Sequence, residues 1–204
     1  MDKILYSVND YYTKKIKEHG VSPRGVDWNG VESQELRFEL LCKVIDYSNP
    51  CSVLDFGCGY GAMSDYLART NSGVVFTGFD ISEEMIKQAM STHQNNSKWI
   101  TELPVNEQFD YVIASGIFNV RLDTADEEWK NYIIGVLNQM NGLSRKGFSF
   151  NMLTSYSDAE YMRDYLYYAQ PAFFFDYCKV NFSKYVALLH DYPLYEFTIL
   201  VRKN

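Results

Sequence analysis

The sequence predicts a doubly wound α/β domain built on a mostly parallel sheet, and three observations carry that prediction. From Cys51 onward, short apolar runs alternate with stretches of helical spacing. The first of those runs ends directly in a glycine-rich turn, V-L-D-F-G-C-G-Y-G from Val53 to Gly61. The last two runs are joined too tightly for a parallel crossover, so they close the sheet as an antiparallel hairpin. Strands that alternate with helices place those helices on both faces of a parallel sheet.

Taken in order, residues 9–19 read as a helix that Asn9 would cap and Gly20 would end. Ser22 to Gly30 is rich in turn formers and reads as a loop. Residues 31–48 carry Leu36, Leu40, Val44 and Tyr47 at helical spacing, which predicts a second helix. Cys51 to Phe56 is the first strand, and 61–70 a helix. Val74 to Asp80 is the second strand, and Ser82 with Glu83 and Glu84 opens another helix. Lys98 to Thr101 is a short third strand, Phe109 to Ser115 the fourth, 125–141 a helix and Gly147 to Leu153 the fifth strand. An aromatic stretch from Tyr165 to Tyr177 contains a helix from about Pro171. Ser183 to His190 and Tyr195 to Val201 form the closing hairpin. With 204 residues the chain is expected to be one domain, 1–204, in which 1–48 caps a core of 49–204.

Composition narrows the function classes. Apolar residues are 47% and charged residues 22%, as in ordinary soluble globular proteins. The formal net charge of −7 would repel a phosphate backbone, and the longest basic run, Lys14-Lys15-Ile16-Lys17, reads as the solvated face of a helix. Nucleic acid is therefore not an expected partner. Cys42, Cys51, Cys58 and Cys178 show neither a C-x-x-C pair nor a nearby histidine set, which argues against a disulfide framework and against a metal site. No run suits a signal peptide or a membrane span. The expectation is a cytoplasmic protein with no membrane partner; the oligomeric state is left open.

The glycine turn admits two cofactors. Gly57, Gly59 and Ala62 fit the dinucleotide pattern G-x-G-x-x-A, whereas Gly57, Gly59 and Gly61 fit G-x-G-x-G. Either way, glycines let the backbone approach a ligand and a helix N-terminus points at it. Asp80, ending the second strand, suits ribose hydroxyls in both readings. Asp55 discriminates between them. A dinucleotide would bring its pyrophosphate to this turn, against a carboxylate of like charge; S-adenosylmethionine would bring an ammonium and a sulfonium. The turn also lacks any Lys or Arg before Arg69, which excludes a P-loop. The alternatives are an NAD(P)-linked oxidoreductase and a cofactor-binding regulatory protein without turnover.

Three stretches, V-L-D-F-G-C-G-Y-G at 53–61, F-D-I-S at 79–82 and F-D-Y-V-I-A-S at 109–115, resemble the class I S-adenosylmethionine-dependent methyltransferases. The order of elements from about 50 to 202 is similar too. The resemblance implies a seven-stranded sheet of order 3-2-1-4-5-7-6 with S-adenosylmethionine across the carboxyl ends of the first strands. It implies that Gly57, Gly59 and Gly61 line the cofactor and that Asp55 lies near its amino-acid end. Asp80 would hold the ribose, Ile81 would pack on the adenine, and Ser115 would approach the methionine part. The adenine edge falls on Ile100, Thr101 or Glu102, with Thr101 carried forward. Further stretches, P-R-G-V-D-W with the following E-S-Q, S-F-N-M-L-T-S and H-D-Y-P-L-Y-E-F-T-I, resemble small bacterial methyltransferases that accompany surface-polysaccharide biosynthesis. That resemblance implies an acceptor such as a sugar derivative or a phosphorylated amino alcohol.

Methyl transfer needs alignment of a nucleophile, and a general base where the acceptor is a hydroxyl or a protonated amine. After the fourth strand the chain reads S-G-I-F-N, without the prolines of enzymes that methylate DNA bases or glutamine amides, which favours a small-molecule acceptor. Three segments are candidates for its pocket. Tyr11, Tyr12, Arg24, Asp27 and Trp28 would form a lid; Asp164 to Pro171 offers Tyr167 and Tyr168; the hairpin turn offers His190 and Asp191. Candidate catalytic residues are His190 as base, Tyr12, and Arg24 as an anion clamp. Candidate acceptor contacts are Tyr11, Trp28, Asn119, Tyr167, Tyr168 and Asp191. Each has a structural alternative: His190 as a hairpin residue, the tyrosines as packing, Arg24 as a brace for its own loop.

Overall fold

The computed structural model describes residues 3–26, 28, 30–70, 73–93 and 96–203. Its core is one seven-stranded sheet: β1 (Cys51–Phe56), β2 (Val74–Phe79), β3 (Lys98–Ile100), β4 (Phe109–Ala114), β5 (Ser144–Leu153), β6 (Tyr185–Leu189) and β7 (Glu196–Arg202). The strand order is β3-β2-β1-β4-β5-β7-β6, as the resemblance implied. Strands β1 to β5 pair in parallel, and β7 runs antiparallel between β5 and β6.

Successive side chains of a strand point to opposite faces, and here both faces are apolar. Leu54, Val112, Phe150 and Ile199 pack beneath α5 (Asp126–Leu143) and α6 (Pro171–Asn181), whose Trp129, Ile133, Leu137, Phe174 and Cys178 complete that half of the core. Their neighbours Val53, Ile113 and Leu200 face the other way. They meet Phe38 and Leu41 of α2 (Val31–Cys42), with Met63 and Leu67 of α3 (Ala62–Thr70). Trp129 is fully buried, and its indole N–H donates to the Phe118 carbonyl at 2.9 Å, so no polar group is stranded there. Helix α4 (Glu83–Thr92) follows β2, capped by Ser82, whose Oγ accepts from the Met85 amide.

The N-terminal region departs from expectation in two ways. Helix α1 spans Lys3–His19, so it begins a turn and a half before Asn9. Asn9 is interior to it and accepts from the Thr13 hydroxyl, while Ile4 is drawn into the α5 side of the core. Helix α2 stops at Cys42 rather than running to residue 48. Val44 and Ile45 are still buried, but on a turn, and Tyr47 is exposed. Since Phe38, Leu41 and Cys42 belong to the sheet's second face, α2 is a layer of the core. A 3-10 turn, Pro23–Val26, follows α1.

Candidate functional site

Where β1 ends, Gly57, Gly59 and Gly61 all take positive φ (+83°, +54° and +88°), and α3 begins at Ala62. This left-handed backbone strongly favours glycine. The turn is pinned to the neighbouring strand: the Gly57 and Cys58 amides donate to the Phe79 carbonyl at 2.8 and 2.9 Å. The Gly59 amide donates to Asp80 Oδ2 at 2.9 Å, and the Ser82 amide donates to Asp80 Oδ1 at 2.9 Å. Asp80 thus ties the glycine turn to the α4 cap. Burial pushes its carboxyl up to about 6, against the two amide bonds that pull it down.

Over these strand ends lies a cavity of about 540 Å³, a size suited to a cofactor or a drug-sized ligand. Asp55, Gly57, Gly59, Asp80, Ile81 and Ser115 line it, so six of the eight residues expected at the cofactor belong to its wall. Asp55 is 3% exposed and its Oδ1 has no hydrogen-bond partner. Burial, with the nearby Asp80 charge, pushes its carboxyl up to about 8. Ser115 Oγ is likewise buried and unpartnered. Unsatisfied buried polar atoms in the wall of a cavity are what a polar ligand would satisfy. An ammonium group fits the Asp55 oxygen in charge and in hydrogen-bonding capacity, so the residues present suit the amino-acid end of S-adenosylmethionine.

Gly61 and Thr101 lie outside that wall. The space above Gly61 is filled by Trp99 and His93, whose rings a Cβ there would overlap; the glycine admits packing beneath the turn. Thr101 is exposed on a bend, and Leu103 enters the lining instead, since the chain turns outward after β3 and comes back apolar.

Of the expected lid, Tyr12 and Trp28 line the cavity. Tyr11 packs edge-on against Tyr12 at 5.2 Å, outside the lining, and Arg24 is exposed on the 3-10 turn. Asp27 lies outside the described residues. The other two expected segments do not reach the lining. His190 is exposed between Tyr156 and Phe197, and Asp191 is exposed beside it, because β6, which leads into the hairpin turn, is the edge strand on the far side of the sheet from β1 and β2. Asn119 is buried and latches the loop after β4: its Oδ1 accepts from the Leu153 amide at 3.0 Å, and its carbonyl accepts from the Tyr167 amide at 2.8 Å. Tyr167 is core, and the Tyr168 hydroxyl accepts from the Arg163 amide at 2.9 Å.

Several lining residues carried no signal in the sequence. Leu5 and Val8 come from the part of α1 that precedes the expected start at Asn9, and Gln34 and Phe38 from α2. Tyr132, Gly135, Val136 and Gln139 come from one face of α5. Helical spacing alone would read that α5 face as core.

Comparison with known proteins gives concordant findings. The family model described as a methyltransferase domain matches residues 54–145. A protein of Mycobacterium tuberculosis assigned as a methyltransferase, Rv1506c, is 51% identical over 163 residues, covering 79% of this chain and 98% of the relative. The 18S rRNA (guanine-N(7))-methyltransferase of Bos taurus is 44% identical over 52 residues, which are 26% of this chain and 17% of that one. Among solved structures, magnesium protoporphyrin IX methyltransferase from Synechocystis PCC 6803, with bound S-adenosylmethionine, superposes over 100% of this chain and 99% of its own. The TM-score is 0.67 at 15% identity, a likeness of fold. Among the described residues no helix is long and apolar enough to cross a membrane, and no cluster of three potential metal ligands occurs.

Proposed function

The chain belongs to the class I S-adenosylmethionine-dependent methyltransferases, and we propose that it methylates an oxygen or nitrogen of a small polar metabolite. The observation that carries the proposal is the buried, unpartnered Asp55 Oδ1 in a cavity wall shared with the Gly57–Gly59 turn and Asp80. When bound, S-adenosylmethionine supplies a methyl group already activated on a sulfonium centre.

The protein's own part is to hold and enclose. Asp55 would pair with the donor's ammonium, Asp80 would accept from ribose hydroxyls while keeping Gly59 in place, and Ile81 with Leu103 would cover the adenine. Ser115 would approach the methionine part. Tyr12 and Trp28 would close the cavity from the lid side, keep water out and leave room for the acceptor, where aromatic faces would favour a sulfonium.

The described lining holds no Lys, Arg or His. Without a basic side chain to receive a phosphate, it favours a neutral acceptor over a phosphorylated one, so within the resemblance to polysaccharide-associated enzymes the sugar derivative suits the walls better than the phosphorylated amino alcohol. The overall charge of −7 favours a small metabolite over RNA.

Isothermal titration tests the cofactor: S-adenosylhomocysteine should bind and NAD should not, and tight NAD binding without S-adenosylhomocysteine binding would sink the proposal. A panel of matched neutral, phosphorylated and RNA acceptors, read by coupled detection of S-adenosylhomocysteine, tests the acceptor. Turnover confined to RNA would overturn the small-molecule part.

A further inference from the structure

Behind the cavity wall runs a closed ring of buried contacts. Trp28, in the lid, brings the Cη2–Cζ2 edge of its indole against Gly116, the residue after Ser115; a Cβ on Gly116 would overlap that edge. The guanidinium of Arg37, on α2, stacks 3.9 Å from the Trp28 ring centroid. Arg37 donates from Nε to both oxygens of Glu196 at 2.9 and 3.0 Å, and its Nη2 also pairs with Glu196 Oε1. Asn151 Nδ2 donates to the other Glu196 oxygen at 2.5 Å, and Asn151 Oδ1 accepts from the Gly116 amide at 2.8 Å. The ring therefore links five separate segments: the loop that carries Trp28, α2, the start of β7, β5 and the loop after β4.

Arg37, Asn151 and Glu196 are 7%, 1% and 1% exposed, yet none of the three lines the cavity, whereas Trp28 and Gly116 do. Burying an ion pair is costly, and an apolar pair of similar volume is often as stable or more so. Stability alone is thus a poor account of this pair. Its geometry has a further consequence: a planar guanidinium gripped along its edge by a carboxylate presents a fixed face to the indole. We propose that Arg37 and Glu196 are positioning residues that act through Trp28 and Gly116 to fix the cavity wall beside Ser115. The function of that wall rests on the reading of the cavity as the S-adenosylmethionine site.

Removing one partner leaves a buried charge, so Arg37→Met alone is expected to unfold readily. The informative variant is Arg37→Met/Glu196→Gln, which removes both charges and leaves an amide oxygen for Asn151. Growth with 5-fluorotryptophan labels three positions, and Trp28→Phe assigns the lid resonance. In the folded double variant, confirmed by its circular-dichroism melt, the Trp28 fluorine resonance should shift and broaden while those of Trp99 and Trp129 stay in place. S-adenosylhomocysteine should bind several-fold more weakly. An unmoved Trp28 resonance, or an unchanged affinity, in the folded double variant overturns the proposal. Failure of the unsubstituted protein to bind S-adenosylhomocysteine would instead overturn the reading of the cavity, and the fluorine measurement needs no ligand to decide about Trp28.

Discussion

Replacing Asp55 with asparagine should make the free protein more stable and its ligand binding worse. Asp55 is buried, its Oδ1 unpartnered, and its carboxyl is pushed up to about 8. Set against an ordinary value near 3.8, that corresponds at about 1.4 kcal/mol per unit to a penalty on the order of 6 kcal/mol against the charged form. The sign follows from proton counting. Between about pH 4 and pH 8 the folded protein holds a proton that the unfolded chain has lost, so stability falls as pH rises through that window. Below it both states are protonated and the difference vanishes. Asp55→Asn is neutral at every pH, so its melting temperature should exceed that of the unsubstituted protein clearly at pH 7.5 and by little near pH 4.5. Binding runs the other way. If a ligand ammonium needs the ionised carboxylate, S-adenosylhomocysteine affinity should rise by up to about tenfold per unit between pH 6 and 7.5, with about one proton released. Titration calorimetry in buffers of different ionisation enthalpy measures both quantities. The Asp55→Asn variant should bind weakly and with little pH dependence. Flat affinity and no proton release in the unsubstituted protein, or an Asp55→Asn variant that melts lower at pH 7.5, would refute the reasoning.

Other substitutions test neighbouring parts of the site. Asp80→Ala removes the acceptor for the Gly59 and Ser82 amides as well as any ribose contact, and should weaken S-adenosylhomocysteine binding by roughly 1–3 kcal/mol in the same titration. Gly61→Ala forces a side chain onto a positive φ and into Trp99 and His93, and should lower the thermal midpoint. Gly142→Ala, in α5 with open space around it, is the control and should raise stability by about 0.5–1 kcal/mol. His190→Ala, exposed and away from the cavity lining, should leave S-adenosylhomocysteine affinity unchanged and stability within about 0.5 kcal/mol. A loss of affinity there would restore the hairpin turn to the site.

The strands and the glycine turn were legible in the sequence because their determinants are local. Continuous apolar runs such as Val53-Leu54 and Val112-Ile113 mark strands covered on both faces, and V-L-D-F-G-C-G-Y-G records a backbone that must turn left-handed. Asp55 and Asp80 were legible for a related reason: each is tied by sequence position to a strand end. What the sequence determined was therefore a parallel sheet, the end of it over which the cavity lies, and two acids placed there. The depth of α1, the α5 face in the cavity and the Arg37–Glu196 pair were decided by tertiary structure, since each depends on residues far apart in the chain. His190 shows the same limit from the other side: its place in the chain suggested the site, but the sheet edge carried it clear. Arg37 and Glu196 are 159 residues apart. No local pattern marks either as buried, because a charge can enter a core only where folding has brought its partner.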